Sequence, residues 1–176
     1  MASATKGATP SFEMLEAAWN AQRAERTGQV RLLVARLGGG VHRTLETAQL
    51  CPEKGLVGDR WVQGASPCLG RQVTLMDARV AELVCHGQEL HLPGDNILVD
   101  LDLAEEVLRV GDELVCGDVR LRITAKPHRG CKVFAERFGL EALKWVNWRH
   151  HRGRRLRGVN CQVLSGGSIK AGDRFR

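Results

Sequence analysis

The 176-residue chain contains no tyrosine, only four phenylalanines and no cysteine pair spaced C-x-x-C. Lack of tyrosine leaves little material for a broad base-stacking platform, so nucleic acid is not the expected partner. No apolar run approaches the ~20 residues of a membrane-spanning helix, so no membrane association is expected. The opening MASATKGATP has one lysine and no apolar stretch behind it, unlike a secretory signal. The expected location is therefore cytoplasmic, and the six scattered cysteines read as free thiols. Neither G-K-[ST] nor G-x-G-x-x-G occurs, which excludes a P-loop and a dinucleotide fingerprint. Internal repeats and low-complexity tracts are absent too.

What remains is a chain long enough to bury roughly 70% of its unfolded surface without metal or disulfide staples. Its net charge is +6, but the excess is local. From Lys144 onward there are nine basic residues and one acid, so any anion-seeking surface belongs to the last fifth of the chain.

Residues 1–10 read as a disordered lead, and 11–176 as one domain with its core over about 30–175. Ser11 can cap a helix whose Phe12, Leu15 and Trp19 share a face, ending near Gly28. Strands are expected over Gln29–Leu37, Val41–Leu45, Arg71–Met76, Leu90–Leu92, Asn96–Val99 and Glu113–Cys116. The V-R-L-R-I alternation of Val119–Ile123 has the two-residue period of a half-buried strand. Asp77 can cap a short helix to about Cys85, and Cys131–Phe138 has helical spacing with Gly139 as its C-cap. Asn160–Leu164 and Ser168–Arg176 are expected to form a closing hairpin around Gly166-Gly167. Many short strands with few helices predict a mostly β fold, a barrel or curled sheet with peripheral helices.

Four stretches can carry chemistry. In Gly55–Trp61, glycines bracket a turn whose N–H groups at Gly58 and Asp59 can face an anion, with Arg60 adding a forked donor; the alternative is an ordinary turn with an exposed Asp–Arg pair. In Pro93–Asn96, the Asn96 amide can orient a ligand or simply close an Asx-type turn. In Lys126–Lys132, Cys131 has Lys126, Arg129, Lys132 and His128 for company at an expected helix start, which favours thiolate over thiol. A thiol of pKa about 8.5 is only about 3% ionised at pH 7, so such help matters to a sulfur nucleophile or soft-metal ligand. The alternative is an inert cysteine among solvated cations. His128 and Cys131 alone do not make structural zinc, which needs four ligands. In Arg149–Arg157, five arginines and two histidines follow Trp145 and Trp148. That stretch reads as a clamp for a phosphorylated cofactor, with Arg157 a donor, as a solvated loop, or as a non-catalytic polyanion-binding module.

In order along the chain, GLVGDR (55–60), RQVTL (71–75), LPGDN (92–96), LRVGDEL (108–114), VRLRITAKPHRGC (119–131), FGLEALKWVN (138–147) and LRGVNCQVLSGGSIKAGDRF (156–175) resemble the MOSC domain, the carboxy-terminal region of molybdenum-cofactor sulfurases. The resemblance covers about Val30 to Phe175. It implies a closed, mostly β fold and a cysteine, matched by Cys131, that carries sulfur or ligates molybdenum of a pterin cofactor. Relatives reduce N-hydroxylated substrates with that cofactor, and the family is also linked to pyridoxal phosphate. Arg60, Arg129 and Arg157 would then meet the cofactor phosphate. Two positions depart from the family pattern: Gly130 stands where many members have proline, and Trp61 where many have histidine after GDR. No iron–sulfur or flavin segment is visible, so a redox or sulfur-donor protein partner is implied.

Overall fold

The computed structural model describes residues 9–22, 26–64 and 67–176. Most of the expected disordered lead lies outside them. Ser11 does cap the first helix, α1 (Phe12–Ala21), its hydroxyl accepting from the Met14 amide. The helix stops at Ala21, well before Gly28. Beyond it, Arg26 pairs with Asp77 at 2.8 Å and Thr27 bonds Asp100, ties that hold these two residues at the ends of the strands Val73–Asp77 and Ile97–Val99.

Ten strands follow among the described residues: β1 (Val30–Gly38), β2 (Val41–Leu45), β3 (Thr47–Cys51), β4 (Gly55–Leu56), β5 (Val73–Asp77), β6 (Ile97–Val99), β7 (Glu113–Cys116), β8 (Val119–Ile123), β9 (Val159–Ser165) and β10 (Gly167–Lys170). Seven form a curled half-barrel in the order β2-β1-β6-β5-β9-β8-β7, and β10-β3-β4 form a second sheet. The expected mostly β architecture with peripheral helices is therefore present. Two local readings differ. Leu90–Leu92 is a run of turns, because Leu92 N–H bonds back to Glu89. The closing hairpin is absent too: β10 leaves β9 at Gly166 and pairs with β3 instead, so Ile169 faces the core opposite Ala48.

Alternation along the central strands builds two cores. Val73, Leu75, Ile97 and Val99 point between the sheets, where Leu50, Leu56 and Leu121 complete the packing. Met76 and Leu98 point to the other face, against α1, α2 (Ala78–Cys85) and α3 (Lys132–Asn147). On β8 the predicted alternation holds: Val119, Leu121 and Ile123 are buried, while Arg120 and Arg122 reach Glu113 on the solvent face.

Helix α3 passes the expected stop at Gly139. That residue does adopt a non-helical φ of +88°, so one helix ends and a second begins at once across the kink. Its second half delivers Trp145 to the helical core, where the indole donates to Glu16 of α1 at 2.9 Å. The turn that follows, Arg149–Arg154, thus starts from a fixed point.

Candidate anion-binding cleft

Two stretches 20 residues apart in sequence meet in one cleft of about 660 Å³. One wall is the β8–α3 connection, Thr124–Arg129; the other is the end of α3 and the turn after it, with Trp148, Arg149 and Arg152. Gly158 and Val159, at the start of β9, form part of the lining. Gly158 has φ +98°, and a Cβ there would lie 2.1 Å from the Leu75 carbonyl oxygen, so only glycine lets β9 approach β5 at this point.

The lining is strongly cationic. Lys126, Arg129, Arg149, Arg152 and Arg155 face Glu105 as the single acid. Arg155 is committed to the wall itself, donating to the carbonyls of Leu103 and Leu108 and lying 3.6 Å from Glu105. Arg149 shares its Nε–H with His150. Trp148 is part exposed and stands edge-on to Phe12, His150 and His151, giving the cleft one aromatic edge.

Cys131 sits two residues beyond this lining. It is the residue preceding α3, has extended backbone at φ −122°, and its exposed thiol makes no capping bond. Cys68 is also exposed, whereas Cys85, Cys116 and Cys161 are buried, and burial pushes the Cys85 thiol up to about 12. Among the described residues no group of three or more His, Cys, Asp or Glu converges as a metal cage.

Of the residues singled out in the sequence, His128 and Arg129 line the cleft. Asp59 and Asn96 lie elsewhere, in a buried brace joining β1, β6 and the GDR turn. Asp59 accepts from Arg36 Nη2 and Nε at 2.8 and 2.9 Å, from the Arg36 and Trp61 backbone amides, and from the Asn96 side-chain amide at 2.9 Å. Asn96 also donates to the Val34 carbonyl and accepts from Thr74. All four of its side-chain hydrogen-bonding capacities are thus used inside the protein, and neither an Asx turn nor a ligand role describes it. The exposed Asp–Arg pair considered for the GDR turn is likewise corrected: Asp59 is buried and pairs with Arg36, leaving Gly58 and Arg60 on the surface outside the cleft.

Burial would raise the Asp59 carboxyl, but the Arg36 guanidinium and the amide donors outweigh it and hold the group below its ordinary range. A depressed folded value means its stabilisation is complete above the unfolded carboxylate range, near pH 4, and is lost as pH falls through the lower folded value. Asp59→Asn is therefore expected to lose about 2–4 kcal/mol at pH 7 and less than that near pH 3. Urea unfolding across that range reads the difference.

Arg157 is also internal. Its Nη1 meets the fully buried Asp95 carboxylate, Nη2 donates to the Pro93 carbonyl at 3.1 Å, and the guanidinium lies 5.2 Å over the Phe134 ring. The other Asp95 oxygen faces His128 Nδ1 at 3.4 Å. Burial, reinforced by Arg157, Arg36 and Arg71, holds His128 well below the usual imidazole range, which favours the neutral ring. Arg157 thereby reaches the cleft only through Asp95 and His128. Asp95 and Arg36 carried no signal of their own in the sequence; LPGDN placed Asp95 beside a residue singled out, and nothing linked it to Arg157, 62 residues away.

A curled β half-barrel with a helical layer on one face and a cationic cleft beside an exposed cysteine defines the class. Residues 75–176 match the model of the MOSC domain, and the chain belongs to that family. No curated protein matches the sequence at a significant level. Among solved structures, the YuaD protein from Bacillus subtilis is similar with a TM-score of 0.59 at 16% identity, covering 85% of this chain and 94% of that one. YiiM from Geobacillus stearothermophilus also gives 0.59, at 15% identity, covering 84% of this chain and 73% of that one. YiiM from Escherichia coli gives 0.55 at 15% identity, covering 84% and 68%. At such identities the likeness is one of fold. Among the described residues no helix is long and apolar enough to cross a membrane.

Proposed function

We propose that the cleft holds the anionic end of a molybdenum–pterin cofactor and that Cys131 is the sulfur ligand or sulfur carrier of the site. The observation that carries this reading is the convergence of the 126–129 loop and the Arg149–Arg152 turn on one concave surface, two residues from an exposed thiol. The cleft volume of about 660 Å³ falls within the roughly 300–1,000 Å³ typical of small-molecule sites.

The residues present suit such a group. Lys126, Arg129, Arg149 and Arg152 would hold a phosphate, arginine by its planar fork and lysine as a point charge. The Trp148 edge offers an apolar contact for a flat ring. Bound there, the cofactor would supply a soft, high-valent metal suited to a sulfur ligand. Arg60 and Arg157 fall outside this assignment, since one faces solvent away from the cleft and the other is committed to Asp95. Reduction of N-hydroxylated substrates and sulfur transfer both remain within reach of this arrangement, each with a redox or sulfur-donor protein as partner.

The test is to express the chain in a host that makes the cofactor and to measure molybdenum and pterin in the purified protein. Wild type is expected to carry both near one per chain. Cys131→Ala is expected to retain pterin while losing most of the metal, because the cations are untouched. Wild type free of both would overturn the reading.

A further inference from the structure

Asp95 and His128 leave an unusual vacancy in their hydrogen bonding. Asp95 is almost wholly buried, and one of its oxygens is used by Arg157. The second oxygen and His128 Nδ1 are both buried and find no other partner among the described residues; they face each other at 3.4 Å. Two lone pairs 3.4 Å apart in so dry a place would repel, and a buried polar atom left unpaired costs about 1–3 kcal/mol. A proton on Nδ1 removes both problems. The contact to Arg157 keeps Asp95 ionised, because protonating it would strand a buried guanidinium.

A neutral imidazole has one proton only. With Nδ1–H directed at Asp95, Nε2 is left as an acceptor. Nε2 makes no hydrogen bond among the described residues and, unlike Nδ1, is not among the buried unpaired atoms, while the ring lines the cleft. The lining around it is otherwise dominated by cations, which are donors only.

We infer that Asp95 is a positioning residue that fixes His128 as the Nδ1–H tautomer, and that the neutral Nε2 acceptor makes the cleft select an anion bringing its own donor hydrogen. A monohydrogen oxyanion satisfies both the cations and Nε2. A fully deprotonated oxyanion of similar charge satisfies the cations but sets its lone pairs against Nε2. The inference deepens the proposed cleft occupancy by naming what the anion must carry, and it does not depend on Cys131 or on metal content.

Inorganic phosphate and sulfate separate these cases, since near pH 7 their charges are similar and only phosphate bears an O–H. Titrated at equal ionic strength and followed through the backbone amides of Lys126 and Arg129 by NMR, phosphate is expected to bind about tenfold more tightly, the scale of one hydrogen bond. His128→Leu should keep sulfate binding and bring the ratio close to one. His128→Gln, whose side-chain oxygen is again an acceptor, should restore part of the preference. Long-range proton–nitrogen correlation on the histidine-labelled full chain, assigned by loss of the His128 signals in His128→Gln, should show a neutral ring protonated at Nδ1. An Nε2–H tautomer, an imidazolium ring, equal affinity for the two anions, or binding of neither would each overturn the inference. Molybdenum and pterin content measured on the same preparation keeps its failure distinct from that of the cofactor assignment.

Discussion

Arg157→Met is expected to cost about 3–5 kcal/mol of folding stability, the largest loss expected of any single polar substitution in this protein. The cause is less the contact removed than the charge left behind. Asp95 has no access to solvent, and Arg157 is its ionic partner; the substitution strands a carboxylate in a site built of Met76, Phe134 and the Pro93 carbonyl. Methionine fills much of the vacated volume, so little of the loss comes from a cavity. Burial already raises Asp95 above the ordinary carboxylate range, and losing Arg157 raises it further. A carboxyl whose folded value lies above its unfolded one stabilises at low pH and loses that contribution as pH rises. The deficit of Arg157→Met should therefore shrink as pH falls from 7 toward about 4. Urea midpoints at the two ends of that interval, read with an unchanged slope, check it. Adding Asp95→Asn should recover part of the loss, because the double variant no longer buries a lone charge. Full additivity of the two losses would contradict the pairing.

That coupling also explains which features were legible in the sequence. The β8 alternation, the Asp77 cap and the Ser11 cap depend on neighbours within a few residues, so local pattern suffices to predict them. Family membership was legible for a related reason: an ordered string of short motifs survives in one dimension. The partners of polar residues do not. Asn96, Asp59 and Arg157 carry the residue types that ligand sites use, yet each is buried and bonded to groups 22 or more residues away. A buried amide or charge must be paired somewhere, and the sequence shows the need without showing the partner. The same blindness separated His128-Arg129 from Arg149–Arg152. Viewed along the chain they were two rival sites, one for a thiol and one for a polyanion. The turn after α3 folds back over the 126–129 loop, anchored by Trp145 on Glu16 and by Asn147, which both accepts from and donates to the Gly130 backbone. The rivals are two walls of one cleft.

Replacing Arg129, Arg149 and Arg152 together by glutamine is expected to weaken anion binding about 100-fold while leaving stability within about 1 kcal/mol of wild type. The two halves of that expectation come from the same observation. All three side chains are on exposed residues at the cleft, and among the described residues none forms an ion pair with an acid. Without acidic partners among the described residues, they contribute little to folding, and each offers roughly 1 kcal/mol to a bound phosphate in a wet site. Arg155 behaves oppositely, since it braces the Leu103 and Leu108 carbonyls; Arg155→Gln should lower stability more than affinity. Pyrophosphate titrations by calorimetry, beside urea unfolding of the same variants, separate the two behaviours. Salt decides between a small ligand and a nucleic-acid strand. A short single-stranded RNA crossing this surface would release a counterion for each phosphate neutralised, giving a log–log slope of about −0.7 per contact. A cleft built for a small anion should hold pyrophosphate more tightly than such an RNA at 0.15 M salt, where charges beyond about 8 Å are screened. RNA binding that exceeds pyrophosphate under those conditions, and collapses in the triple variant, would move this surface from cofactor capture to polyanion recognition.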